Sequence, residues 1–143
     1  MTDYRRIELA LNYLIHHQKD SPSLETLAAE AQLSPSHFHQ LFVRWAGVSP
    51  KEFLQALQLK QARQHLEKSQ TLLETTHAMQ LSGPSRLYDL FFYQEGVTPG
   101  EVQKRGAGLK IHYGYAETLL GTVFLAATHR GLCQLSFVVE GQD

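Results

Sequence analysis

An internal repeat constrains the fold of this chain more than any other feature of its sequence. Residues 24–53 align without a gap over residues 73–102, and 12 of the 30 aligned positions are identical. The identities include Leu-Glu-Thr near the start, Pro-Ser and Leu-Phe in the middle, and Gly-Val and Pro-x-Glu at the end. A repeat of this length indicates that one supersecondary unit is used twice.

The residues that begin and end helices identify this unit in its first copy. Ser23 can cap a short first helix, in which apolar residues recur with the 3.6-residue period. After a short turn, Ser34 and Pro35 supply an N-cap and a proline at the first helical position, and Gly47 ends this second helix. Two helices joined by so short a turn are typical of a helix-turn-helix.

Helical periodicity divides the second helix of each copy into an inner and an outer face. In the first copy the inner face carries Phe38, Leu41, Phe42 and Trp45, and the outer face carries Ser36, Gln40 and Val43, flanked by His37, His39 and Arg44. In the second copy the inner residues are Leu87, Leu90 and Phe91, and the outer residues are Ser85, Tyr88, Asp89 and Phe92. We expect the inner faces to be buried and the outer faces to be available to a partner.

Residues 50–68, between the copies, are predicted to form one continuous helix whose apolar face changes along its length. Phe53, Leu54 and Leu57 cluster on one side, whereas Leu59, Ala62 and Leu66 lie roughly 170° around the axis. This pattern predicts a helix whose first half packs on one unit and whose second half packs on the other. Residues 4–17 predict a further helix, which completes the first core with Tyr4, Ile7, Leu11 and Leu14.

These features resemble the tandem helix-turn-helix domain of AraC-type transcriptional regulators over about residues 4–104. The resemblance is carried by Ala62, Arg63 and Leu66 in the linking helix, by Phe42 and Phe91, and by the two Gly-x-Ser/Thr-Pro turns. It implies a mainly α fold, with seven helices in a homeodomain-like tandem arrangement over residues 1–105. It also implies that both second helices enter the major groove of double-stranded DNA, with RNA polymerase as a further partner.

The resemblance and the helical geometry together select the residues that are expected to contact DNA. They are Ser36, His37, His39, Gln40, Val43, Arg44 and Lys51 in the first unit, and Ser85, Arg86, Tyr88 and Asp89 in the second. The Gln40 amide can read adenine in bidentate fashion, and Arg44 can hold a phosphate. Asp89 would face the DNA phosphates, which is unfavourable unless its carboxylate accepts from a cytosine amino group. The second unit is therefore expected to bind DNA weakly or to recognise few bases.

Residues 109–143 are rich in β-branched and aromatic residues, unlike the helical part before them. They are predicted to form a three-stranded antiparallel β segment over 110–116, 122–128 and 132–139. The strings Tyr113-Gly114-Tyr115, Leu120-Gly121 and residues 127–133 resemble the opening of the N-terminal lobe of methylated-DNA cysteine methyltransferases. An AraC-type domain followed by such a lobe is the order of Ada-like bifunctional proteins. This second resemblance implies an incomplete methyltransferase-like lobe here, and O6-methylguanine-DNA repair in a full-length parent.

The sequence itself contains no catalytic motif and no metal-binding motif. Methyl transfer of this kind needs an activated cysteine in a Pro-Cys-His-Arg setting, which this sequence lacks, so we expect the catalytic domain to lie beyond this chain. The single cysteine, Cys133, lies in an apolar strand and is interpreted as a buried structural thiol. The side chains of His37 and His39 point about 200° apart around a helix, so we do not expect them to bind a metal together. We also expect no cofactor.

Net charge keeps several functional interpretations open. The formal charge of -1 counts against nucleic-acid binding and leaves a helical protein-interaction module as one alternative. The two main interpretations are a sequence-specific transcriptional regulator module and a DNA-targeting module of an alkyl-repair methyltransferase with no regulatory role. Because the sequence has neither an apolar run of membrane-spanning length nor a signal peptide, we expect a soluble, cytoplasmic protein without membrane contact.

Overall fold

The computed structural model describes residues 1–68 and 70–139, which form seven α-helices followed by three β-strands. The helices are α1 Asp3–His16, α2 Leu24–Glu30, α3 Pro35–Ala46, α4 Pro50–Glu67, α5 Leu72–Ala78, α6 Pro84–Glu95 and α7 Pro99–Gln103. A short 3-10 helix, Gln18–Asp20, follows α1. The strands are β1 His112–Thr118, β2 Gly121–Thr128 and β3 Gly131–Phe137. The predicted fold class is therefore confirmed.

Side-chain caps begin most of the helices at the positions where the sequence predicts them. Ser34 Oγ accepts a hydrogen bond of 3.4 Å from the backbone N–H of His37 at the start of α3. Reciprocal capping boxes pair Ser49 with Glu52, Thr71 with Glu74, and Thr98 with Glu101. The first and third boxes are predicted by the sequence, and the box that begins α5 is an additional finding.

Backbone contacts divide the chain into two compact units, Met1–Gln61 and Ala62–Asp143. The core of the first unit consists of Ile7, Ala10, Leu14, Leu27, Ala28, Ala31, Phe38, Leu41, Phe42 and Leu54. Tyr4 and Trp45 were expected in this core, but they are 62% and 51% exposed. They lie near the ends of their helices and pack edge-on against each other, with ring centroids 6.1 Å apart. Apolar residues therefore recur with helical spacing beyond the part of each helix that packs in the core.

The second unit buries the inner face of α6 together with the last turns of α4. Its buried residues include Ala62, Leu66, Thr75, Met79, Leu87, Phe91, Val97 and Val102. Leu54, in the first half of α4, belongs to the first core, whereas Ala62 and Leu66 are buried in the second unit. The change of apolar face along α4 corresponds to this division.

The three strands form an antiparallel sheet in the order β1-β2-β3, as predicted. Tyr115 pairs with Phe124 across β1 and β2, Leu125 pairs with Leu135 across β2 and β3, and the register shifts between Ala126 and Ala127. The sheet belongs to the second unit, and the domain boundary expected between residues 105 and 109 stays a prediction. Among the helices in the described part of the chain, none is both long and apolar enough to cross a bilayer.

Candidate nucleic-acid interface

The outer face of α3 is open to solvent along its whole length. Ser36, His37, His39, Gln40, Val43 and Arg44 are all exposed, as is Lys51 in the first turn of α4. On the opposite face Phe38 and Phe42 are fully buried, with ring centroids 5.6 Å apart. Phe42 also packs edge-on against Phe53 of α4 at 5.9 Å. The buried rings therefore hold α3 so that the predicted contact residues face outward.

A long-range contact holds the turn of the first helix-turn-helix. Arg6 of α1 donates from one guanidinium nitrogen to the carbonyl oxygens of Ala31 at 2.7 Å and Gln32 at 2.8 Å. Gln32 has the left-handed φ of 55° that ends α2. Carbonyls at a helix end have no partner within the helix, so a cation is well placed there. Sequence reasoning missed this role of Arg6, because no local pattern signals a contact across 25 residues.

The outer face of α6 differs in chemistry from that of α3. Ser85, Arg86 and Tyr88 are exposed, and Asp89 is half-buried. The Tyr88 ring stacks on Phe92 with centroids 5.5 Å apart and an angle of 20° between the ring planes. Much of the predicted reading surface of α6 is therefore aromatic.

Formal charge also distinguishes the two helices. Apart from histidines, α3 carries one charged residue, Arg44, which gives it a charge of +1. The helix α6 carries Arg86, Asp89 and Glu95, and since Glu95 is paired with Arg63 of α4, the remaining two charges cancel. Attraction to phosphates therefore favours α3 over α6.

An ion pair joins the last turn of α6 to the second half of α4. The Arg63 guanidinium binds the Glu95 carboxylate, and it also lies 5.9 Å from the centre of the Phe91 ring. This cation–π contact places Arg63 beside the buried stripe of α6. Arg63 is thus a structural residue of the second unit.

Cys133 lines a cleft of about 490 Å³ in the second unit. Its walls include Arg63, Glu95, Val102, Leu109, Tyr113 and Phe124. Cys133 is half-buried, so the expectation of a buried thiol is wrong. Its strand, β3, lies at the edge of the sheet and has a neighbouring strand on one side only. Within residues 1–68 and 70–139, no group of three His, Cys, Asp or Glu side chains is placed to hold a metal.

Two helix-turn-helix units in tandem, each of which exposes the outer face of its second helix, define the class of tandem helix-turn-helix modules. The match to a family model agrees with this class. The chain belongs to the helix-turn-helix domain family, whose model matches residues 27–105.

Relatives and solved structures support the same assignment. The chain is 30% identical over 118 residues to the bifunctional transcriptional activator/DNA repair enzyme Ada of Escherichia coli strain K12. That match covers 82% of this chain, and the chain spans 33% of the relative's length.

Two solved structures share the fold at less than 25% identity. The DNA-binding domain of AdpA, a global transcriptional factor, superposes with a TM-score of 0.64 and 24% identity over 71% of this chain and 93% of its own. An AraC-type transcriptional regulator from Chromobacterium violaceum also gives 0.64, with 20% identity over 73% of this chain and 94% of its own.

Proposed function

We propose that this chain is the sequence-specific module with which a transcriptional regulator binds double-stranded DNA, placing α3 and α6 in the major groove. The observation that carries the proposal is the paired arrangement of the units: each buries one face of its second helix and exposes the other. The AdpA domain, which has this fold, was crystallised in complex with a target DNA. A cytoplasmic site of action and a contact with RNA polymerase belong to the same proposal.

The first unit supplies most of the base recognition in this proposal. The amide of Gln40 can donate to and accept from one adenine edge, and His39 and Ser36 can each make one further polar contact. Val43 can pack on a thymine methyl group. Arg44, Lys51 and His37 flank this row and bind phosphates, which sets the register of the helix on the duplex.

The second unit contributes fewer donors. Ser85 and Arg86 lie in the first turn of α6, where a recognition helix approaches the groove, and Tyr88 and Asp89 follow on the same face. Asp89 can accept from the amino group of a base, such as that of cytosine, and where no such donor faces it, its charge is repelled by the phosphates. We infer that α6 mainly positions the module, while α3 selects the sequence.

Fluorescence-anisotropy titrations on a duplex obtained by in vitro selection, and on a scrambled duplex, test the proposal. We expect tighter binding to the selected duplex and an affinity that falls steeply with salt. Arg44→Gln should reduce the slope of log affinity against log salt by about one. Arg5→Gln is the matched control, because Arg5 lies on α1 and pairs with Glu8. Absence of binding to any duplex at low salt would refute the function.

A second candidate function is delivery of an alkyl-repair enzyme to DNA. Residues 1–105 can supply at most 105 of the 118 positions aligned with Ada, so the likeness extends into residues 106–143. This supports residues 109–143 as the start of a methyltransferase-like lobe. Without the Pro-Cys-His-Arg motif, we expect this chain to transfer no methyl group from O6-methylguanine DNA. Mass spectrometry of Cys133 after incubation with methylated duplex checks this, and a methylated thiol would contradict it.

A further inference from the structure

The turn between β2 and β3 docks onto the C-terminal end of α6. Gly96 ends this helix with a left-handed φ of 62°. The hydroxyl of Thr128 donates a hydrogen bond of 2.6 Å to the Gly96 carbonyl, and Thr128 is only 6% exposed. A Cβ on Gly96 would lie 3.2 Å from the Gly131 carbonyl oxygen and 3.2 Å from Thr128 Oγ. The sheet therefore approaches the helix end so closely that it leaves little room for a side chain.

A second contact joins the same turn to α7. The Arg130 guanidinium donates two hydrogen bonds to the Glu101 carboxylate, at 2.9 and 3.0 Å. The same carboxylate caps α7 by accepting from the backbone N–H of Thr98 at 2.8 Å. Both side chains of the ion pair are mostly covered, at 19% and 24% exposure. A bidentate guanidinium–carboxylate pair holds its partners in one geometry, so the turn is attached at two points.

The first copy of the repeat has no counterpart to this attachment. Gly47 occupies the position equivalent to Gly96 and has a similar φ of 75°, yet no described atom lies within 4 Å of a Cβ placed there. Glu52, the counterpart of Glu101, caps its own helix through Ser49. The docking is therefore a property of the second unit, and the first unit supplies an internal control.

The start of α6 has, among the described residues, no side-chain cap like the hydrogen-bonded attachment at its end. The N-cap of α6 is Gly83, and no side chain in the described part of the chain caps the helix there. The helix is about 18 Å long, so a tilt of about 4° around its docked end moves its first turn by roughly 1 Å. A shift of this size weakens a hydrogen bond to a base or phosphate. The end contacts thus control where the first turn of α6 lies.

We propose that Thr128 and Arg130 are positioning residues for DNA binding by the second unit. They hold the end of α6 against the β2–β3 turn, and so they fix where Arg86, in the first turn of the helix, meets the DNA. The sheet is then part of the DNA-binding module. This inference rests on the proposed function, since it concerns how tightly the same module binds DNA.

Double-mutant cycles on the selected duplex test the inference. Thr128→Val keeps the side-chain shape but removes the donor, and we expect it to weaken DNA binding about fivefold. In an Arg86→Gln background the loss should shrink to less than about twofold, because the contact that depends on the docking is already absent. In an Arg44→Gln background, where the missing contact belongs to α3, the full loss should remain. A role in stability alone would give the same loss in both backgrounds, and that result would overturn the inference.

Two further comparisons use the same titration. Arg130→Gln should weaken binding, and Arg130→Lys, which keeps the charge but not the bidentate pair, should restore only part of it; full restoration contradicts a positioning role. Gly96→Ala and Gly47→Ala suffer similar backbone strain, but only a Cβ on Gly96 crowds the docked turn. The loss of affinity in Gly96→Ala should therefore shrink in the Arg86→Gln background, whereas that in Gly47→Ala should not. A Gly96→Ala loss that is the same in both backgrounds also overturns the inference. If the wild-type chain binds no duplex, the proposed function itself fails. If the wild-type chain binds but the effects of Thr128→Val and Arg86→Gln simply add, only the positioning role is refuted.

Discussion

The two copies of the repeat share one fold, but the structure gives their second helices different surroundings. In the first copy α3 is capped by the Ser34 side chain, and its Gly47 end is open. In the second copy α6 has no side-chain cap among the described residues, and its Gly96 end is covered by the sheet. These attachments thus lie at the start of α3 and at the end of α6.

The aligned positions explain how one repeat can serve two roles. Two buried positions of the second helices are kept, since Leu41 and Phe42 match Leu90 and Phe91 in both identity and burial. The outer face is kept only in part, since Ser36 matches Ser85 whereas Gln40 aligns with Asp89. Packing restricts the inner face to shapes that fill the core, whereas solvent places no such restriction on the outer face. Differences in function therefore accumulate where the fold permits them.

The largest expected effect comes from truncating the equivalent core rings. Phe42→Ala and Phe91→Ala each remove a fully buried ring, and each should cost about 3–5 kcal/mol of stability in its own unit. Hydrogen exchange should show that Phe42→Ala exposes the amides of α1 to α3 first, and that Phe91→Ala exposes those of α6 and the sheet. Equal loss of protection in both units from either variant would show that the two cores do not act separately.

A smaller effect is expected at the helix starts. Ser34→Ala removes the side-chain cap of α3 and should destabilise the first unit by about 1 kcal/mol. Gly83→Ser should stabilise the second unit by a few tenths of a kcal/mol, because its backbone is extended and a Cβ there meets no described atom. Urea unfolding measures both changes. If Gly83→Ser destabilises the second unit, α6 requires a glycine at its N-cap.

The smallest expected effect is a loss of folding stability at low pH. Hydrogen bonds from Arg130 lower the pKa of Glu101, while hydrogen bonds from Ser49 lower the pKa of Glu52. A carboxyl with a lowered pKa in the folded state stabilises the fold above its ordinary pKa, and this contribution is lost as pH falls through the lowered value.

Substituting each carboxyl by the neutral amide tests this acid dependence. Glu101→Gln keeps the cap but loses the ion pair, so it should destabilise more than Glu52→Gln at pH 7. The difference should vanish in acid. Urea titrations from pH 7 downward measure it, and a difference that does not shrink as the pH falls through the lowered pKa of Glu101 contradicts the ion-pair explanation.

Local sequence patterns predicted the helices and strands because caps, glycines and periodicity act within a few residues. They misplaced Tyr4 and Trp45, since periodicity does not reveal where the core ends. The contacts of Arg6 with α2 and of Arg130 with Glu101 were also missed, because they join residues 25 or more positions apart. The candidate DNA-contact residues came from the resemblance and from helical geometry; all but the half-buried Asp89 are exposed, and their contact with DNA stays a prediction.

The base preferences of Gln40→Ala and Asp89→Ala test the division of roles between α3 and α6 most directly. Each variant is titrated, at fixed salt, on the selected duplex and on its complete set of single-base variants. We expect Gln40→Ala to reduce discrimination at one or two base pairs by about 1–3 kcal/mol. Asp89→Ala should tighten binding to most duplexes, because it removes a negative charge beside phosphates. Unchanged base preferences in Gln40→Ala would contradict the account. A loss of affinity at a single base pair in Asp89→Ala would also contradict it, because α6 would then recognise a base.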